Sequence, residues 1–251
     1  MTRRWALALA LSGALLCLLP AAAAGPRPEL VDAARVVPDL VVEMRYHTAH
    51  NFVGAPVEGY LAPRCLLTRP AARALAAVQA ELKPMGLGLK VYDCYRPARA
   101  VAHFQRWARD LDDAKTKTEF YPTVDKRDLF KLGYVAERSS HSRGSTVDLT
   151  IVPLPPPPQP LWRLDGPQEP CYQPAGERWP DNGLDMGGGF DCFHQISHTA
   201  NPEASPQVRA NRLLLKSLME RHGFVNYELE WWHYTLGDEP YPDTYFDVPV
   251  E

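Results

Sequence analysis

Ten of the chain's 25 prolines fall between Pro153 and Asp181, four of them in an unbroken run from Pro155 to Pro158. Proline fixes φ and has no N–H to donate, so this stretch is neither a helix nor an inner strand. It reads as a polyproline-II loop, and a loop of this length is either a functional element or an insertion. The regular structure must therefore come from the residues before and after it.

Upstream, Leu40 to Tyr46 alternates apolar and polar side chains and predicts a strand. Thr68 is a candidate N-cap with Pro70 just inside a helix that runs to about Lys83. Gly86 and Gly88 break it, Leu89 to Tyr92 predicts the next strand, and a second helix is expected from near Pro97 to about Leu111. Residues 116–131 are polar and irregular, and Thr146 to Val152 is a β-branched strand. Downstream, a helix is expected from Pro206 to Arg221, stopped by Gly223, then a strand from Tyr227 to Leu236. Helices and strands mix without regular βαβ alternation, which predicts an α+β class in a single domain.

The N-terminus has a different character. Arg3 and Arg4 precede an apolar run from Trp5 to Leu19, followed by Pro20 and four alanines, the pattern of a secretory signal peptide cut after Ala24. The run falls short of the roughly 20 residues needed to span a bilayer. Leu16 is too large to precede a lipidated Cys17. The expected layout is a signal peptide at 1–24 and one mature domain at 25–251, with 153–184 as a proline-rich insertion, in a periplasmic or secreted protein. Cleavage removes two arginines and no acidic residue, so the formal charge of −3 becomes −5. No basic stripe remains, which argues against nucleic acid and anionic membrane surfaces as partners.

Cys65, Cys94, Cys171 and Cys192 remain after cleavage. An even count in an exported chain favours two disulfides, with three possible connectivities. Pairing Cys65 with Cys94 and Cys171 with Cys192 is preferred because each pair brackets one local unit. No Cys-x-x-Cys pair exists, which weighs against a metal site built from the four thiols.

Two segments carry chemistry: Ser139 to Asp148, with His141 between them, and Glu230-Trp231-Trp232-His233. Two imidazoles, one carboxylate ligand and one spare carboxylate suit a zinc ion with three protein ligands and an open position for water. The spare carboxylate, Glu230, could move the water's proton. Neither segment is decisive alone, since a lone histidine is more often structural than a ligand. Glu230 and His233 are also an odd number apart, so a regular strand would aim them at opposite faces unless a bulge or strand end intervenes. His194 and His198 compete as an i, i+4 metal pair, although Gly187 to Gly189 make a regular helix there doubtful.

Ser139 to Asp148 matches the Ser-x-His-x-x-Gly-x-x-x-Asp signature of the zinc D-Ala-D-Ala peptidases, and Glu230 to Tyr234 matches the second signature of that group. Within it the chain resembles the D-alanyl-D-alanine dipeptidases, the VanX-like enzymes. The likeness extends through Tyr46 with Asn51-Phe52, Glu58-Gly59-Tyr60, Asp93-x-Tyr95-Arg96-Pro97, Phe190-Asp191 with Ser197-His198, and Asp238 to Pro242. It implies a mixed, mainly antiparallel sheet packed with helices, and one zinc held by His141, Asp148 and His233. It further implies Glu230 as general base and acid, and Arg96 as donor to the oxyanion of the scissile carbonyl. Asp191 corresponds to the carboxylate that meets the dipeptide's ammonium; Ser139 and Tyr46 correspond to groups near the substrate's backbone and carboxylate. The compact dipeptidases of the family lack the signal peptide and the Pro153–Asp181 expansion, which bears on the roof of the pocket and its strictness for dipeptides. A D,D-carboxypeptidase acting on longer wall peptides and a zinc-stabilised binding module without turnover stand as alternatives.

Overall fold

The computed structural model describes residues 28–251, so the signal peptide expected at 1–24 lies outside the described residues. The order is β1 (Leu30–Asp32), β2 (Val41–Val42), β3 (Leu66–Thr68), α1 (Arg69–Leu82), β4 (Leu87–Asp93), α2 (Ala98–Arg109), α3 (Lys117–Phe120), β5 (Thr146–Pro153), α4 (Pro206–Arg221), β6 (Phe224–Asn226) and β7 (His233–Leu236), with short 3-10 turns between. β1 and β3 form a small antiparallel pair, and the main sheet runs β2-β4-β5-β7-β6. Only β2–β4 is parallel; β4–β5, β5–β7 and β7–β6 are antiparallel. This is a mixed α+β domain.

The sheet has two chemically distinct faces. Leu89 and Val91 of β4, with Val147, Leu149 and Ile151 of β5, are fully buried and join the core of α1 and α4. In α1 the buried residues Ala71, Leu75, Val78 and Leu82 recur at helical spacing, and Pro70 in the first turn sets its start. Gln79 turns inward as well and accepts from the Leu89 N–H at 2.8 Å, fixing α1 to β4. Ser205 caps α4 by accepting from the Val208 N–H at 3.2 Å, and Gly223, at φ 86°, ends it. The opposite face of the sheet presents Lys90, Thr150, Asp148 and His233, paired across strands as Lys90↔Thr150 and Asp148↔His233. That polar face carries the chemistry.

Two expected strands are shorter than the sequence predicted. Leu40 to Tyr46 pairs only at Val41–Val42, then turns into a 3-10 turn at Arg45–His47 that buries Arg45 and Tyr46. Tyr227 to Leu236 is strand only from His233; residues 227–232 form turns closed by Glu230 N–H to Tyr227 O and His233 N–H to Glu230 O. From Leu154 to His194 the chain has no helix or strand, and its residues 181–183 lie against Lys90 and Thr150 of the polar face. Gly183 permits that approach, since a Cβ there would come within 2.9 Å of the Thr150 side chain.

Disulfides join Cys65 to Cys94 and Cys171 to Cys192. Each closes a loop worth about 3–4 kcal/mol in the chain-entropy account. Mass spectrometry of the non-reduced protein is expected to find these two linked peptide pairs and no free thiol among the four residues. A link between the two units would overturn the pairing. No helix among the described residues is long and apolar enough to cross a membrane.

Candidate active site

A β-bulge builds the site. Between β4 and β5 the register passes from Val91↔Leu149 to Asp93↔Asp148, two residues on one strand against one on the other. Without the extra residue Asp93 would face the helices. With it, Asp93, Asp148 and His233 stand in a row across β4, β5 and β7. His141 joins them from the 3-10 turn Ser140–Arg143, which Ser139 caps by accepting from the His141 N–H at 3.3 Å. Gly144, at φ 83°, closes that turn and leads into β5. Glu230 avoids the odd-spacing conflict because it sits in the turn before His233 begins β7, and its Oε2 lies 3.3 Å from His233 Nδ1.

Three atoms converge: His141 Nε2, His233 Nδ1 and Asp148 Oδ1. The nitrogens are 3.3 Å apart, and Asp148 Oδ1 lies 3.2 Å from the first and 3.1 Å from the second. Each ring nitrogen on the far side is already engaged. His141 Nδ1 lies 2.7 Å from the Cys94 carbonyl, to which it can only donate, and His233 Nε2 lies 3.2 Å from Ser140 Oγ. With those positions protonated, both imidazoles turn a lone pair inward toward a carboxylate oxygen. Asp148 Oδ1 is buried and has no well-formed hydrogen bond. Three acceptors facing one another in a buried space suit a cation between them. A tetrahedral ion with bonds of about 2.0–2.1 Å has ligand–ligand edges of roughly 3.3–3.4 Å, so the observed triangle fits one. Among the described residues this is the single group of three or more His, Cys, Asp or Glu whose atoms are close enough to share a metal.

The triangle opens on a cavity of about 220 Å³ lined by Tyr46, Arg96, Ser139, Asp191, Glu230 and His233, among others. Arg96 donates from Nε to Asp93 Oδ2 at 2.9 Å and lays its guanidinium over the rings of Tyr46 and Phe104 at 4.9 and 5.1 Å. One arm therefore holds it while the other nitrogens, 3.5 Å from Ser139 Oγ and 3.7 Å from Asp148 Oδ2, face the cavity. Asp191, in the left-handed region at φ 57°, accepts from the Tyr46 hydroxyl at 2.7 Å. Burial first, and then the Asp148 carboxylate, push its carboxyl well above the usual range, while Tyr46 and Arg96 pull the other way. A cation delivered to that carboxylate would relieve the imbalance.

All eight residues singled out in the sequence thus come together around one centre. His194 and His198 do not. His194 Nδ1 accepts from the Ile196 N–H at 3.0 Å at the start of a 3-10 turn and its ring stacks on Tyr172, so no helix sets the two imidazoles on one face. The sequence reading passed over Asp93 and Tyr60 as members of the site. Asp93, fully buried, accepts from Tyr60 Oη at 2.6 Å and from Arg96. The Asp93-x-x-Arg96 spacing was visible, but the bulge that aims Asp93 was not.

The profile of the Peptidase M15 family, described as D-ala-D-ala dipeptidase, matches residues 27–154 and 180–251, leaving 155–179 unmatched. A D-alanyl-D-alanine dipeptidase of Streptomyces coelicolor is 41% identical over 208 residues, 83% of this chain and 91% of that protein. One of Enterococcus faecium is 41% identical over 209 residues, covering 83% and 92%. A third, from Escherichia coli K12, is 35% identical over 208 residues, covering 83% and 84%. With the profile spanning most of the chain and relatives this similar along nearly their whole length, the chain belongs to the Peptidase M15 D-Ala-D-Ala dipeptidase family.

Proposed function

We propose that this chain is an exported zinc dipeptidase that hydrolyses D-alanyl-D-alanine to D-alanine. The observation that carries it is the inward-facing triangle of His141, Asp148 and His233, with Glu230, Arg96 and Asp191 around one small cavity. Two nitrogens and one carboxylate oxygen are a zinc donor set, and three protein ligands leave a fourth position open. Zinc held there would supply a Lewis acid and lower the pKa of a water molecule to about 7.

The remaining work falls to the chain's own side chains. Glu230, half-buried at the cavity wall and not needed as a ligand, takes the attacking water's proton and hands it to the leaving amine. Arg96, held by Asp93, offers its free guanidinium nitrogens to the oxyanion that develops on the scissile carbonyl, a fixed charge aimed where negative charge will grow. Asp191, oriented by Tyr46, meets the substrate's ammonium, and Ser139 lies where it can reach the substrate backbone. The basic start, short apolar run and alanine-rich end of residues 1–24, with two disulfides, support export. An enzyme outside the cytoplasm cannot drain a cytoplasmic dipeptide pool, so salvage of dipeptide released from peptidoglycan suits the location.

Purified protein is expected to carry about one zinc per chain. His141→Ala or His233→Ala should lose most of it, because two protein donors are too few for the site. Metal analysis paired with an assay of D-Ala-D-Ala and a wall pentapeptide tests the reading. Zinc that survives His141→Ala but disappears with His194→Ala and His198→Ala would refute the ligand set. Equal rates on dipeptide and pentapeptide would favour a carboxypeptidase.

A further inference from the structure

Asp191 sits at the middle of an arc, residues 186–198, and its position depends on how the arc is held. Both ends hang from Arg212 of α4, which donates from Nε to the Met186 carbonyl at 2.8 Å and from Nη1 to the His198 carbonyl at 2.7 Å. The middle is held by the residues on either side of Asp191, and both lead to the proline-rich segment. Cys192 is bonded to Cys171, near the segment's end, and the Gly189 N–H donates to the Cys171 carbonyl at 2.9 Å. Phe190 stacks on Tyr92 with ring centroids 4.6 Å apart, and the Tyr92 hydroxyl donates to Asp181 Oδ2 at 2.8 Å.

The segment is itself pinned to the polar face of the sheet. Lys90, with no exposed surface, donates to Asp181 Oδ1 at 2.7 Å, Asn182 Oδ1 at 2.7 Å and Glu43 Oε2 at 2.9 Å. Arg45, neighbour of Tyr46, donates to Asp181 Oδ2 at 3.0 Å. Two buried cations, Lys90 and Arg45, are balanced by two half-buried carboxylates, Glu43 and Asp181, which fixes the segment's register on the sheet. Asp191 meanwhile holds a left-handed backbone conformation, which a non-glycine residue keeps only where its surroundings impose it.

We propose that the proline-rich segment is a fixed buttress for ammonium recognition, with the Cys171–Cys192 disulfide as the positioning element that holds Asp191 against Tyr46. This rests on Asp191 being the ammonium partner and adds what keeps it there. The segment is then no lid: it sets the affinity and the preference for a free N-terminus, not the rate of bond cleavage. The prolines suit that task, since each enters the folded state with little backbone freedom left to lose.

The test compares wild type, Cys171→Ser/Cys192→Ser and Asp191→Asn, each loaded with zinc, on D-Ala-D-Ala and N-acetyl-D-Ala-D-Ala. The serine pair is expected to keep its zinc and a kcat within about threefold of wild type, while KM for the free dipeptide rises about tenfold or more, the signature of lost substrate binding. Its preference for the free dipeptide should shrink in step. Should the serine pair fail to fold, folded wild type treated with a phosphine reductant, with the Cys171–Cys192 link shown broken, is read in the same way. An unchanged KM and preference would overturn the buttress while leaving Asp191's role intact. If Asp191→Asn also leaves the preference unchanged, it is the ammonium assignment that fails. A fall in kcat and zinc content together would mark the disulfide as general scaffolding and refute the specific role.

Discussion

Glu230→Ala is expected to keep its zinc and lose turnover by about 10²–10⁴-fold, the range for removing a general acid–base residue. The metal should stay because the triangle of His141, Asp148 and His233 is complete without Glu230. The rate should fall because the Glu230 carboxylate, 3.3 Å from His233 Nδ1, is the carboxylate beside the triangle that is free to move a proton at the open position. Asp148 is committed inside the triangle and Asp191 to Tyr46. Metal analysis and initial rates on one preparation decide the matter. Parallel loss of zinc would make Glu230 a ligand, and a near-normal rate would remove it from the chemistry.

N-acetyl-D-Ala-D-Ala is expected to be cleaved roughly 10²–10⁴-fold less efficiently than the free dipeptide, because a buried charge left without its partner costs about 3–5 kcal/mol. Asp191 is 6% exposed and its carboxyl is pushed well above the usual range by burial, so it can take up a proton when no ammonium arrives. That escape trims the penalty toward the lower end and gives it a pH dependence. As pH falls through the raised pKa, Asp191 loses the charge that holds the free dipeptide and the penalty against the blocked one fades. The preference should therefore widen as pH rises above that pKa, until the substrate's own amine loses its proton. Competition assays over a pH series with both substrates test this. A preference that is flat with pH, or comparable rates on the two, would argue against a charged Asp191–ammonium contact.

The helices were legible because their boundaries are written locally, by Pro70 and Pro206 in first turns and Gly223 as a stop, although Thr68, the expected cap of α1, turns its hydroxyl to Ser145 instead of the helix. Of the candidate site residues, Ser139, His141, Asp148, Glu230 and His233 stand in two short signatures, while Tyr46, Arg96 and Asp191 came only with the further family motifs. What stayed hidden depends on partners distant in sequence. Alternation from Leu40 to Tyr46 suggested one strand, yet the buried charges around Arg45 pull the chain out of the sheet after Val42. Tyr227 to Leu236 reads as continuous strand, but β6 ends at Asn226, whose side-chain amide instead donates to the Glu230 and His233 carbonyls and shapes the turn between. The bulge that brings Asp93 beside Asp148 leaves no mark in residue type. The i, i+4 spacing of His194 and His198 carried no weight once the glycines before them had prevented a helix.

The cross-strand row of Asp93, Asp148 and His233 spans the three central strands, and two of its members belong to the proposed metal triangle. An ion bound there is therefore also a rivet through the sheet: β5 and β7 cannot part without breaking its coordination, and the turn bearing His141 is fastened to the same point. By mass action, free zinc at a hundred times its dissociation constant adds about 2.7 kcal/mol to the stability of the folded chain if the unfolded chain does not bind it. Metal supply in the surroundings would then set how long each molecule survives heat and proteases as well as how fast it works, and a zinc-starved cell would lose the protein itself along with its activity.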